Sequence, residues 1–119
     1  MSLDVYFYGT EACPHCGGTV KDGRRDYQSN MTHNVHAMVN LACGNKDVIW
    51  HPEENGITKA GDLIPYLKDA IREFIAAPEK YQHLEPDNGW GSIRTTLPWL
   101  KEMLDAATEY PDDIVEVSR

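Results

Sequence analysis

Positive charge is scarce in this chain. Across 119 residues, 11 Lys and Arg stand against 19 Asp and Glu, a formal net charge of −8. Phosphate binding is driven by Lys and Arg displacing counterions, so this balance argues against a general nucleic-acid surface. Lys21, Arg24 and Arg25 form one small basic cluster. It reads as a solvated hairpin tip, and the dispersed acidic residues read as a solubility feature. Long apolar runs are lacking too. No stretch approaches the ~20 apolar residues of a membrane helix. The opening Met1-Ser2-Leu3-Asp4-Val5-Tyr6 has no basic segment followed by an apolar one, so no signal peptide is read there. Cysteine is limited to three residues. An odd count without an export signal argues against a disulfide framework and points to the reducing cytoplasm. Serine elbow, phosphate loop, H-E-x-x-H and G-x-G-x-x-G are absent. No reaction is therefore spelled out, and carboxylates are too plentiful for pairs of them to carry a signal.

What is present fits one domain, 1–119, of ordinary globular composition with 41% apolar residues. Residues 3–8 alternate apolar with small or polar types and predict a strand. Residues 9–18 read as a loop, and Asp22-Gly23 as a hairpin turn between two short strands. Thr32 or Asn30 can cap a helix to about Cys43, with Gly44 closing it. Val35, Met38, Val39 and Ala42 form its apolar stripe, and His33, His36, Asn40 and Cys43 a polar one. A loop over 44–57 leads to a helix at about 58–76, with Pro65 marking its start or a bend. Its apolar face comprises Ala60, Leu63, Ile64, Leu67, Ile71, Phe74 and Ile75. Pro78 ends it, with one short extra turn expected over 78–83. Asn88-Gly89-Trp90-Gly91 reads as a tight turn. Ser92 caps a helix over 93–109, with Ile93, Leu97, Leu100, Leu104 and Ala107 inward and a kink at Pro98. Asp113–Ser118 reads as a strand returning to the first. The expected class is α+β: a small, mostly antiparallel sheet (N- and C-terminal strands plus a hairpin) packed against three helices.

Cys13-Pro14-His15-Cys16-Gly17-Gly18 is the most specific chemical motif. It permits three readings. In the first, the turn aims backbone amides at two sulfurs in a zinc knuckle, with Gly supplying the positive φ. A structural zinc needs four ligands, and His33, His36, Cys43 and His51 are the remaining candidates. His33 and His36 share a helix face. Cys43 lies about 10.5 Å along the helix from His36, too far for one ion. The expected set is therefore Cys13, Cys16, His33 and His36. In the second reading the pair runs thiol–disulfide exchange, since Val5-Tyr6-Phe7-Tyr8 leads into it as a strand leads into a glutaredoxin-like CxxC. Gly17-Gly18-Thr19-Val20 opposes the helix that such chemistry needs, and the following βαβ unit is missing. In the third, the cysteines are two loop thiols without a role.

Several segments together carry a resemblance. Ser29-Asn30-Met31-Thr32-His33-Asn34-Val35 looks like "ANITHNL". Trp50-His51-Pro52-Glu53-Glu54-Asn55-Gly56-Ile57-Thr58-Lys59-Ala60 looks like "LWRPEEIGITKA". Asn88-Gly89-Trp90-Gly91-Ser92 looks like "NGWGSY", and Glu109-Tyr110-Pro111-Asp112 with Val117-Ser118-Arg119 looks like "EYPDA…VSR". Spread over nearly the whole chain, these resemble a family of small phage, prophage and bacterial proteins to which no reaction is attached. The resemblance implies a phage or mobile-element origin, hence the host cytoplasm. His51 stands where that family has Arg, and the cysteine pair lies outside its motifs.

Thr32-His33-Asn34 could present a histidine and an amide to a ligand, or could simply cap a helix. Trp50 and Trp90, in loops, could serve binding or plug the core edge. The expectation is that His33, Asn34, Trp50 and Trp90 meet in a shallow polar-aromatic pocket. These readings favour a phage-type accessory protein that binds a protein or a small ligand. The alternatives are a small enzyme working through the His33 region, metal-assisted, and a thiol–disulfide redox protein. Zinc is the one cofactor expected.

Overall fold

The computed structural model describes residues 2–84 and 92–119, with the side chain of Thr19 left aside. The expected turn at Asn88-Gly89-Trp90-Gly91, and with it Trp90, lies outside the described residues.

Three strands form one antiparallel sheet in the order β2-β1-β3. Strand β1 (Ser2–Ala12) is central, β2 is Thr19–Thr32 and β3 is Ile114–Ser118. The alternation read in residues 3–8 has its structural counterpart: Leu3, Val5 and Phe7 are buried, and Asp4, Tyr6 and Tyr8 face the other side half-exposed. The C-terminal strand returns to β1 as expected, with Val117 opposite Val5 and Val115 opposite Phe7.

The hairpin differs from the expected one. Its turn is the cysteine segment, not Asp22-Gly23: Ala12 pairs with Thr19, and β2 then runs unbroken to Thr32 opposite Ser2. Asp22-Gly23 instead forms an irregularity within β2. Tyr8 pairs with Arg25 and Thr10 with Lys21, so residues 22–24 bulge opposite Gly9, and Gly23 takes φ +86°. A turn dipeptide also suits a bulge, because both need one residue at positive φ. The absence of a side chain at Gly9 leaves room for the Arg24 guanidinium, which a Cβ there would meet at 2.5–2.7 Å and displace.

One side of the sheet carries the helices. Helix α1 (His36–Ala42) follows a single 3₁₀ turn, His33–Val35. Of the two expected caps, Thr32 is the one used: its Oγ1 accepts from the Asn34 amide and the helical segment begins at His33, whereas Asn30 remains paired in β2. A 3₁₀ turn, Ala60–Leu63, leads into α2 (Ile64–Ala76), and Asp62 caps it by accepting from the Thr58 and Lys59 amides. Two 3₁₀ turns follow Pro78. Helix α3 is Ile93–Glu109 and contains Pro98.

The stripe Val35, Met38, Val39 and Ala42 is buried as read. On α3 the inward face is rotated from the expected one. Thr96, Trp99, Leu100, Met103 and Ala107 are buried, whereas Leu97 and Leu104 are only half-buried. Ile75 of α2 is exposed, and Ala70 takes the inward place beside Leu67 and Phe74. The molecule measures 52 × 27 × 23 Å. Among the described residues, no helix is long and apolar enough to cross a membrane.

Candidate functional site

Helix α1 ends where Gly44 and Asn45 both adopt positive φ, +79° and +63°. Such residues stop a helix and reverse the chain, so residues 45–51 fold back along α1. Asn40 fixes the reversal: its Oδ1 accepts from the Asp47 amide at 2.6 Å. The His51 amide then donates to the Asp47 carbonyl at 3.0 Å. Asn55 Nδ2 donates to the Asp47 and His51 carbonyls at 3.2 and 3.0 Å. Asp47 is thus held through its amide, its carbonyl and its side chain.

The Asp47 carboxylate lies between two imidazoles. Oδ1 meets His36 Nε2 at 2.6 Å and Oδ2 meets His51 Nδ1 at 2.5 Å. Burial pushes the Asp47 carboxyl up, but the hydrogen bonds and charges of His36 and His51 outweigh it and hold the carboxyl below its ordinary value. The stabilisation this lends the fold is complete above the ordinary carboxylate range and is lost as pH falls through the lowered value.

Trp50 forms the floor of the cluster. It is 2% exposed, and the His36 ring stacks on it at 4.6 Å with an interplanar angle of 18°. Its Nε1 donates to His33 Nδ1 at 2.8 Å. An accepting Nδ1 puts the proton of neutral His33 on Nε2. Trp99 meets Trp50 edge-on and donates its own Nε1 to Ser29 Oγ at 3.0 Å. Arg119 donates to the Trp50 carbonyl at 2.7 Å and to Glu53 at 2.8 Å. Beside this pair, along β3, lies an open depression of about 260 Å³ walled by Pro52, Ile57, Val115 and Val117.

Comparison with protein families, curated proteins and solved structures gives no match. What the site can do therefore follows from its own atoms. His36, Asp47 and His51 each offer one ligand atom, and these lie within 4.8 Å of one another. Two imidazoles and a carboxylate suit a first-row divalent ion. The cluster could hold a metal.

The expected ligand set Cys13, Cys16, His33 and His36 is not assembled. The cysteines occupy the hairpin turn, whereas His33 and His36 follow the opposite end of β2. At ~3.3 Å per residue, a fourteen-residue strand separates them by on the order of 40 Å. His36 does belong to a potential metal cluster, but with Asp47 and His51. Cys43 is buried and its thiol is pushed up to about 12, first by burial and then by the charges of Asp69 and Asp47, so it stays protonated.

Of the expected pocket, His33 and Trp50 do come together. Asn34 is exposed, and its backbone amide donates to Thr32 Oγ1 at 3.2 Å, the capping role weighed for this segment. Trp50 is the core-edge plug. Asp47 had no sequence signal, since it sits in a loop without periodicity. His51 had one: three of the five histidines fall at 33, 36 and 51.

Proposed function

We propose that this chain is a small metal-dependent binding protein in which His36, Asp47 and His51 hold one first-row divalent ion. The remaining coordination positions then take a donor group from a small ligand or a protein partner. The observation that carries this reading is the convergence of three ligand atoms from a helix, a loop and a turn within 4.8 Å. Imidazole favours zinc, cobalt, nickel or iron over magnesium and calcium. Bonds of ~2.0–2.2 Å to the ion would spread the His–Asp contacts of 2.5–2.6 Å by less than ~1 Å. The protons on His36 Nε2 and His51 Nδ1 must leave, so affinity rises with pH. The phage-family resemblance supplies the setting, an accessory protein acting in the host cytoplasm, and the acidic surface favours a protein or small ligand over nucleic acid.

A metal-assisted hydrolase is the second reading, favoured by the ligand count. Three protein ligands leave a position open, as catalytic zinc sites do.

Cobalt titration of a Cys13→Ser/Cys16→Ser chain tests the site. The expected result is one ion per chain, affinity reduced at least tenfold by Asp47→Ala and by His51→Gln, and d–d bands that shift when azide is added. Unchanged affinity in both variants would overturn the assignment. Bands indifferent to azide would show a closed site and overturn the ligand-binding role.

A further inference from the structure

Cys13–Gly18 forms the tip of the hairpin, beyond the Ala12–Thr19 pair. The turn is built as a knuckle. The Cys13 amide donates to the Gly18 carbonyl at 2.6 Å and the Gly17 amide to the Cys13 carbonyl at 2.9 Å. Gly17 has φ +72°, which a side chain would strain. The Gly18 amide points at Cys16 Sγ, 3.4 Å away. A backbone N–H aimed at a sulfur is the arrangement that stabilises a thiolate on a metal.

This half-site has no complement among the described residues. Among the described residues, the only group of three or more metal-binding side chains with converging ligand atoms is His36, Asp47 and His51, at the other end of β2. Tetrahedral zinc wants four ligands. Cys16 is exposed and Cys13 half-exposed, and they sit at the end of a two-stranded arm in a molecule 52 Å long and less than 30 Å across. Residues 14–18 of the tip are exposed, so a second tip can approach the two sulfurs.

We propose that Cys13 and Cys16 from two copies of this chain bind one zinc ion through four thiolates, joining two hairpins tip to tip. The occupant of the half-site is the same half-site on another copy. The two-fold relation supplies matching ligands from one surface. Little protein surface is buried at a hairpin tip, so the metal holds the dimer and a chelator dissolves it. Each thiol that coordinates releases its proton to solvent, and no electron is transferred. The inference is independent of the His36–Asp47–His51 site.

Sedimentation equilibrium on the full chain under reducing conditions tests it, with Asp47→Ala removing the other metal site. The unsubstituted chain runs in parallel in case that variant does not fold. Expected is a doubling of the 13.5 kDa mass with one thiol-bound zinc per two chains. Cobalt should give the charge-transfer bands of a four-thiolate tetrahedral site, and Cys16→Ser should abolish dimer and bands together. A zinc-loaded monomer, a cobalt spectrum with nitrogen or oxygen ligands at the tip, a dimer that survives Cys16→Ser, or no thiol-bound metal would each overturn it.

Discussion

Trp50 does three jobs with one side chain. Its ring fills the edge of the core, its face supports His36, and its indole N–H fixes His33. The hydrogen bond is costly to lose because the donor is buried. An unsatisfied buried donor costs ~1–3 kcal/mol, against only ~1 kcal/mol for an average bond gained. His33→Ala should therefore lower stability by about 1–3 kcal/mol in urea unfolding. His33→Gln, whose amide oxygen can accept, should recover part of the loss. Equal losses in the two variants would mean that the His33 ring matters for packing and the bond to Trp50 does not. The neighbouring carboxylate obeys the same rule from the acceptor side. Asp47 has two donors, and each is a titratable ring that a metal can recruit.

Helix α3 shows how far local sequence determines an element. Ser92 accepts from the Thr95 amide at 3.3 Å while Thr95 Oγ1 accepts from the Ser92 amide at 3.0 Å, a reciprocal cap that meets two donors with no helical partner. Ser92→Ala should cost ~1 kcal/mol, read as a lower midpoint of thermal unfolding with unchanged metal affinity. The start of this helix was legible because capping chemistry is local. So was strand β1, whose period of two survives because one face is buried along Leu3, Val5 and Phe7. The inward face of α3 was legible only approximately. Trp99 and Met103 reach the core while Leu97 and Leu104 sit at its margin, and that choice depends on the angle at which α3 meets α2. The hairpin was misplaced because Asp22-Gly23 and Cys13–Gly18 are both good turns. Register decides between them, and register depends on which strand faces which. The metal cluster was legible only as scattered histidines, since Asp47 reaches them through a loop whose path is set by Gly44, Asn45 and Asn40.

At the scale of the whole molecule, one acidic cluster ties the arm to the C-terminal strand. Asp113, just before β3, is buried, and the side chain of Asp26 on β2 is only 8% exposed. Arg24 reaches Asp26 at 3.0 Å and Asp22 at 3.4 Å, over the gap that Gly9 leaves open. Tyr110, at the end of α3, is pushed up first by the charge of Glu109, then by burial, with the charges of Asp26 and Asp113 adding to it. One cation among three carboxylates leaves the pair short of positive charge. Burial first, then the hydrogen bond and charge of Asp26, push the Asp113 carboxyl up to about 7. A proton on Asp113 removes the like-charge contact with Asp26. The folded protein holds that proton more tightly than the unfolded chain does, so this contribution to stability is complete below about 4, declines as pH rises, and is gone above about 7. The Asp47 contribution runs the other way and is lost only in acid. Asp113→Asn mimics the protonated carboxyl at every pH. It should leave stability at pH 4.5 nearly unchanged and raise it at pH 8 by about 1 kcal/mol, the scale of relieving one buried like-charge contact. Urea unfolding of both proteins across that range checks it. Parallel curves, with the same offset at pH 4.5 and pH 8, would show that Asp113 does not bind the proton and that the cluster is held by Arg24 alone.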